Sequence, residues 1–555
     1  MINGTPRGFR DILPEEALAR EEISSHVSAT FSAQGYLPVE TPLLEDRDVL
    51  VRAGRLKGSP FQLFDSDDRL LMLRPDLTLP IARLAATRLA ITHEPQRLRY
   101  QAPVVREQES LKGQPRQFTQ MGVELIGGED VSAECEVVSL LATTLDALDV
   151  AGWRIVMGSV RPLMALLDAS GVDEALRDQV LSLVHASDLV ALDETIEKAG
   201  LAPDVASALH AIPRLHGGPD VIDQLDALLA RAGVAESARG TRELKDLVCG
   251  LAATPAADKV SFDFSIINSF DYYTGIVFKA YAEGMAASLA SGGRYDAVLA
   301  NLGVPDTCAC GFALSLERLE EVLGKQGGSG VPTPGVRMAG RPLRIAVPKG
   351  SLNADTIATL EAAGLPVEGL KDPGRKLIIP AGDVEYVIVR ATDAPAFVAF
   401  GGADCGICGS DSLIEADFDL LQLVDLRYGG CRFIVAEPAS AAGQAERAYA
   451  WRGTMRVATK YPRITQMYYD RIGQQVDILA LHGNIELGPI VGMADRIVDI
   501  TATGTTLAEN DLVIVDDVME CTARFFAGPA AYRCDTRIRD LASRLAEVAG
   551  GSTEQ

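Results

Sequence analysis

Hydrophobic and polar positions change rhythm along the chain. After residues 4–14, apolar side chains at Ala17, Leu18, Ile23, Val27 and Phe31 recur at helical spacing and predict a helix. Between about 160 and 250 the chain is rich in Ala, Leu and Asp. A cap signal at Ser187-Asp188 and breaks at Pro203, Pro213 and Gly217-Gly218-Pro219 predict a run of short helices there. From residue 343 the period shortens. Apolar runs at 343–348, 384–390, 403–409, 431–437, 455–459, 476–481, 496–500 and 512–516 read as strands, with helical patterns between several of them. Asn353 is the expected cap of the first of those helices, and a last helix is expected over 536–548. Strands alternating with helices imply parallel sheets, and two groups of strands imply two α/β lobes around a ligand cleft.

The two regimes are separated by Gly327-Gly328-Ser329-Gly330 and Val331-Pro332-Thr333-Pro334-Gly335, where Gly/Ser flexibility gives way to Pro stiffness. This divides the chain into a front module over 1–326, a linker over 327–342 and a back module over 343–555. Within the back module, lobe one is expected over about 343–440 plus 525–555 and lobe two over about 450–524. Met338 stands just before the back module, as an initiator would if two reading frames had been joined.

Charge narrows the choice of partner. With 52 basic and 76 acidic residues the net charge is −24. A nucleic acid therefore loses its main attraction, and anionic substrates must be captured by local clusters. The amino terminus lacks the apolar core of a signal peptide, and no run of about 18 apolar residues occurs, so a soluble cytoplasmic protein is expected. Nine cysteines in 555 residues suit a reducing compartment. Cys308-Ala309-Cys310 and Cys405-Gly406-Ile407-Cys408 lack nearby histidines and read as buried thiols rather than metal ligands. His185, His210 and His216 are too scattered to act as ligands.

One stretch carries explicit chemistry. Residues 495–507 form an apolar strand, expected to be parallel and buried, that empties into Thr503-Gly504-Thr505-Thr506. Gly504 would let the backbone approach an anion. The threonine hydroxyls and successive N–H groups would donate to phosphate oxygens, and Asp499 would accept from two ribose hydroxyls. Further polar groups gather at the carboxyl ends of the predicted strands, where such sheets bind ligands: Lys349 and Gly350, Arg390, Gly409 and Asp411, with Arg375 and Lys376 nearby. Together they suit a pyrophosphate. Glu486 and Asp495 are further candidates for ribose or metal contacts.

In the front module, residues 4–14, 35–45, Leu73-Arg74-Pro75-Asp76-Leu77-Thr78, 106–124, Phe270 to Gly275, Ser291 to Asp296 and 311–318 stand in order. This series resembles the catalytic core of class II histidyl-tRNA synthetases, which implies an α+β module with an antiparallel sheet and helices. Departures accompany the matches. Asn268 stands where the family carries an activating arginine, the ATP-holding Arg-x-Glu has become Arg106-Glu107-Gln108, and Gln114 replaces a second arginine. A neutral amide cannot neutralise developing phosphate charge as a guanidinium does. The resemblance thus implies lost aminoacylation and a retained site for free histidine: Asp76 and Thr78 for the ammonium, Gln120 and Glu124 nearby, Tyr272 and Tyr273 beside the imidazole.

The back module resembles the short form of ATP phosphoribosyltransferase. The likeness rests on 343–352, 390–395, 403–411, 456–465, 485–489 and 492–507. It implies a two-lobed α/β module resembling type II periplasmic binding proteins. The implied reaction joins ATP to phosphoribosyl pyrophosphate, releasing pyrophosphate, with Mg2+ held mainly by substrate oxygens and water. Asp499, Lys349 and Arg390 are the expected catalytic residues. Two cations common in the family are missing, at Ser351 and Ser410, so either the anion affinity is weaker than typical or Arg344 and Lys371 compensate. Short-form enzymes need a separate synthetase-like regulatory subunit, which is what the front module resembles. Feedback by histidine and a homo-oligomer follow as expectations. The competing readings are aminoacylation and a non-catalytic ligand sensor.

Overall fold

The computed structural model describes residues 4–53, 61–89, 95–107, 115–128, 130–266, 273–327, 341–441, 443–501, 507 and 509–551. Two compact units divide it, Met1–Ala339 and Gly340–Gln555. Among the described residues no helix is long and apolar enough to cross a membrane.

Unit one is built on a nine-stranded sheet. Its central strands Gln96–Val105, Gln117–Ile126, Ala309–Ser315, Ala290–Arg294 and Ile276–Tyr281 each run antiparallel to the next. Ala309 and Phe312 lie three residues apart and so face opposite sides of the pleat. Ala309 packs with Leu79, Ile81 and Ala85 of helix Thr78–Arg88, while Phe312 meets the ring of Phe31 edge-on at 5.7 Å. Helices therefore cover both faces, and Gln120–Ile126 is buried throughout.

The first helix spans Pro14–Ala33 and buries Ile23, Val27 and Phe31. Ala17 and Leu18 are exposed, contrary to their expected place on the apolar face. That end of the helix is held instead by Arg20, which pairs with Glu317 and Glu320. In the helical stretch, Asp188 caps Leu189–Ala199 by accepting from Ala191 N at 3.0 Å. Pro203 opens helix Pro203–Ala211 rather than ending one, because a first-turn N–H has no partner to lose.

Unit two holds two mixed sheets. In the first, Val384–Arg390, Leu343–Lys349 and Cys405–Gly409 are parallel, with Ile378–Ala381 antiparallel at one edge. Ala523–Ala527 and Leu421–Asp425 complete the other side in antiparallel register. In the second, Val476–Ala480, Met455–Thr459 and Arg496–Thr501 are parallel, followed by the antiparallel Cys431–Pro438 and Leu512–Cys521. The 496–500 strand is thus parallel to one neighbour and antiparallel to the other. Strand Cys431–Pro438 belongs to the second sheet, so the first crossing between lobes lies at 426–430, before the expected boundary near 440. The return crossing is Thr522. Helix Asn353–Ala362 starts at Asn353, whose side chain donates to Pro348 O at 3.0 Å instead of capping. The last helix runs over Thr536–Gly551.

Candidate functional site

In the first lobe, strand register gathers the cations. Lys349 ends Leu343–Lys349 and pairs directly with Arg390, the last residue of Val384–Arg390. Ile345 lies opposite Cys405 and Ala346 opposite Gly406. Continuing that register brings Gly409 level with Lys349. Leu377 O accepts from Ile388 N at 2.8 Å, and Ile378 pairs with Val387, so Arg375 and Lys376 run alongside the same edge. Lys349, Arg375 and Arg390 are exposed, and among the described residues none is ion-paired. Gly350 holds φ +99, a conformation that favours glycine. Arg344 and Lys371 do not compensate for the missing cations: Arg344 pairs with Glu385, and Lys371 with Glu361 at 2.6 Å. Asp411 is half-buried in the first turn of Ser410–Ala416, where burial pushes its carboxyl above the ordinary range.

In the second lobe, Asp499 lies two residues before the end of Arg496–Thr501, half-buried, with Oδ1 accepting from Ile500 N at 2.8 Å. Burial raises its proton affinity and the Glu486 charge adds to this, while Lys460 opposes both. Asp499, Glu486 and Lys460 are therefore neighbours. Tyr461 follows Lys460, and burial pushes its phenol up. The negative charges of both Asp411 and Asp499 push in the same direction, which places Tyr461 between the two lobes. Thr459 fixes this corner by donating to Val498 O at 2.8 Å and accepting from Tyr461 N at 2.9 Å. Glu415 of the first lobe accepts from the backbone of Arg463 and Ile464 at 3.0 and 3.1 Å, joining the two lobes. Lys460 and Tyr461 fall within the 456–465 motif but are absent from the candidate site residues read from sequence. Their place just beyond the carboxyl end of Met455–Thr459 was the available signal.

Thr503, Gly504, Thr505 and Thr506 lie outside the described residues; Leu507 is buried beside Ile434 and Ile497. Asp495 is not part of the cluster. It precedes its strand, so it sits about 13 Å of strand rise from Asp499. There it is held by Arg452, by Arg456 at 3.2 Å and by Arg456 N at 2.9 Å.

The front module contains a second polar centre, formed where strand Gln117–Ile126 runs between two antiparallel neighbours. Glu124 is fully buried, accepting from Tyr295 Oη at 2.6 Å and Tyr100 Oη at 3.3 Å. Burial pushes its carboxyl up to about 7, against the hydrogen bonds from Tyr295, Thr78 and Tyr100. Gly311 faces it across the ladder, and a Cβ there would come within 1.9 Å of Glu124 Oε2. Asp76 accepts from Leu79 N at 3.0 Å; burial raises its carboxyl and Arg106 opposes this. Gln120 is buried on the same strand face, and its Oε1 has no hydrogen-bond partner among the described residues. Tyr273 is half-buried with its ring against Gly293. The structure thus brings Asp76, Thr78 and Glu124 together. Tyr100, which sequence reasoning missed, stands at their centre; its even position among Leu98, Ala102 and Val104 was the signal. Tyr272, Gln108, Gln114 and Asn268 lie outside the described residues.

The cysteines and histidines weighed as ligands are placed as follows among the described residues. Cys308, Cys310, Cys405 and Cys408 are buried, and burial pushes the Cys310 and Cys408 thiols well above their ordinary range. His210 Nδ1 lies 2.7 Å from Asp193, and His216 Nδ1 lies 2.7 Å from Arg214 O.

The chain therefore combines a synthetase-like α+β module with an α/β transferase module of the glycosyltransferase type. A family model described as histidyl-tRNA synthetase matches residues 8–319, and one described as ATP phosphoribosyltransferase matches residues 390–547. The ATP phosphoribosyltransferase of Rubrobacter xylanophilus is 48% identical over 208 residues, 38% of this chain and 95% of its own length. The ATP phosphoribosyltransferase regulatory subunit of Symbiobacterium thermophilum is 37% identical over 369 residues, 65% of this chain and 90% of its own. A crystal structure from Bacillus halodurans, described as an ATP phosphoribosyltransferase regulatory subunit/histidyl-tRNA synthetase, aligns with a TM-score of 0.54 at 29% identity. It covers 65% of this chain and 90% of that one. The chain belongs to the ATP phosphoribosyltransferase family, with a regulatory module of the histidyl-tRNA synthetase family fused in front.

Proposed function

We propose that this chain carries out the first step of histidine biosynthesis in the cleft between the two lobes of unit two, under feedback from histidine bound in unit one. In this reading an adenine ring nitrogen of ATP attacks the anomeric carbon of phosphoribosyl pyrophosphate, and pyrophosphate leaves. Positive charge builds on the ribose and negative charge on the leaving group, so positioning of anions supplies most of the catalysis. Lys349, Arg375 and Arg390 would take the pyrophosphate, supported by the backbone of Gly350 and Gly409. Asp499 would hold the ribose hydroxyls, Glu486 would assist, and Thr503 to Thr506 would cradle the 5′-phosphate. The observation that carries this reading is the direct pairing of Lys349 with Arg390, two exposed cations with no ion-pair partner among the described residues of a chain of net charge −24.

Two mixed sheets joined by two crossings support a two-lobed module of the type II periplasmic-binding-protein kind. Mg2+ fits the donor set in an outer role. Among the described residues no three carboxylates, thiols or histidines converge on one point, so the ion would take its oxygens mainly from substrates and water. When bound it would neutralise the departing pyrophosphate. Asp76, Thr78, Gln120, Glu124, Tyr272 and Tyr273 would take free histidine, with Tyr100 and Tyr295 orienting Glu124. A cytoplasmic homo-oligomer with no nucleic-acid partner suits the acidic surface.

Purified protein mixed with ATP, Mg2+ and phosphoribosyl pyrophosphate should form phosphoribosyl-ATP, and histidine should suppress the rate. A coupling of about 1 to 3 kcal/mol would change apparent affinity roughly 5- to 150-fold. Absence of phosphoribosyl-ATP would overturn the catalytic assignment, and a rate indifferent to histidine would overturn the sensing assignment.

A further inference from the structure

The two segments that join the lobes of unit two carry an opposed pair of cysteines. Cys431 opens strand Cys431–Pro438, just after the 426–430 crossing. Cys521 closes Leu512–Cys521, one residue before the return at Thr522. The two are direct partners across the antiparallel ladder. Partners of this kind stand about 4.5 to 5.5 Å apart at Cα, inside the about 4.4 to 6.8 Å that a disulfide spans. Both are free thiols, Cys431 half-buried and Cys521 buried.

The thiols also address each other. The Cys521 S–H donates to the Cys431 sulfur, which holds the Cys431 thiol below its ordinary range and pushes Cys521 up; burial works against the first and with the second. A half-buried thiol held below its ordinary range beside a buried one pushed above it is the arrangement of an attacking and a resolving cysteine. Asp411 acts on both, and Tyr461 feels both, so the pair stands at the foot of the cleft.

We infer that Cys431 and Cys521 form a reversible disulfide that staples the two inter-lobe crossings and so switches the catalytic module. The oxidant is a low-molecular-weight disulfide. The Cys431 thiolate attacks one of its sulfurs and expels a thiolate. Cys521 then gives up its proton, attacks the Cys431 sulfur of the mixed disulfide and expels the second thiolate. Two cysteine thiols are oxidised, one small disulfide is reduced to two thiols, and the two protons end on those thiols. Stapled crossings cannot twist past each other, which opening and closing of a two-lobed cleft requires.

The full-length protein is treated with glutathione disulfide, mapped by non-reducing peptide mass spectrometry and assayed for phosphoribosyl-ATP before and after dithiothreitol. A Cys431–Cys521 link lighter by two hydrogens, with turnover reduced at least 5-fold and restored by dithiothreitol, is the expected result. Cys431→Ser and Cys521→Ser should keep basal turnover and lose the sensitivity. Exposed Cys249 and Cys534 serve as internal controls. Glutathione adducts on those two without the link would overturn the proposal, as would a quantitative link with unchanged turnover. Only the turnover readout rests on the proposed function; the mapping of wild-type protein stands without it, even if a variant fails to fold.

Discussion

Replacing Glu124 by glutamine removes a buried titrating group while keeping its shape; the amide oxygen can accept from one tyrosine, and the NH2 must donate to the other. The native carboxyl titrates near 7 against 4.5 for a free side chain. At about 1.36 kcal/mol per pH unit, that difference amounts to about 3 kcal/mol. The folded state holds this proton more tightly than the unfolded chain. The contribution to stability is therefore zero below about pH 4.5, falls as pH rises through 7 and stays at its lowest above that. Glu124→Gln should lack this decline. Trp153 lies in unit one and Trp451 is 86% exposed in unit two, so Trp451→Phe leaves a single reporter on the front module. Urea unfolding followed by Trp153 at pH 5 and pH 8 should show the variant gaining about 2.5 kcal/mol on its parent between the two, since pH 5 already lies above the unfolded value. Parallel pH dependence in both proteins would refute the reasoning. Calorimetry provides the functional arm. Loss of a charge-assisted acceptor, worth about 1.5 to 3 kcal/mol, should weaken histidine binding roughly 10- to 150-fold.

Three other perturbations follow from described contacts. Gly311→Ala pushes a methyl group into Glu124 and the Val123 carbonyl, 1.9 and 2.4 Å away, and should cost about 1 to 3 kcal/mol in unfolding of the front module while abolishing histidine binding. Asp499→Asn keeps the hydrogen bond to Ile500 N but removes the charge; turnover should fall at least 10-fold, and equal rates in both proteins would exclude the ribose role. Because burial raises the Asp499 carboxyl, the wild-type rate should decline on acidification at a higher pH than an ordinary carboxylate would give, a limb that a pH–rate profile of Asp499→Asn should lack. Asp404→Ala removes the buried acceptor of two Arg341 bonds at 2.9 Å and of Arg344 N at 2.8 Å. It should destabilise unit two by about 3 to 5 kcal/mol in denaturant titration.

What the sequence revealed depended on whether local pattern or long-range pairing decided the outcome. The strands at 343–348, 384–390 and 455–459 were legible because each is a mostly apolar, mostly buried run interrupted by a charge only at its second residue and, in 384–390, at its end. Leu421–Asp425 and Ala523–Ala527 were not, because short strands flanked by polar turns become recognisable only once they pair with each other. That same pairing moved the lobe boundary. Among site residues, Lys349 and Arg390 could be read from their positions at strand ends. Asp495 misled because charge type says nothing about which end of a strand faces the cleft. Tyr100 and Tyr461 look like ordinary core aromatics until Glu124, Asp411 and Asp499 are seen beside them.

Strand Ala523–Ala527 lies between Cys405–Gly409 and Leu421–Asp425, strands that precede it by about a hundred positions in the chain. A ribosome making this protein must therefore finish the entire second lobe before the first can close its sheet. Until then, the nascent chain would display the flanks of those two earlier strands unpaired. The growing polypeptide should be most vulnerable to aggregation, and most dependent on chaperone shelter, over that late interval of its synthesis.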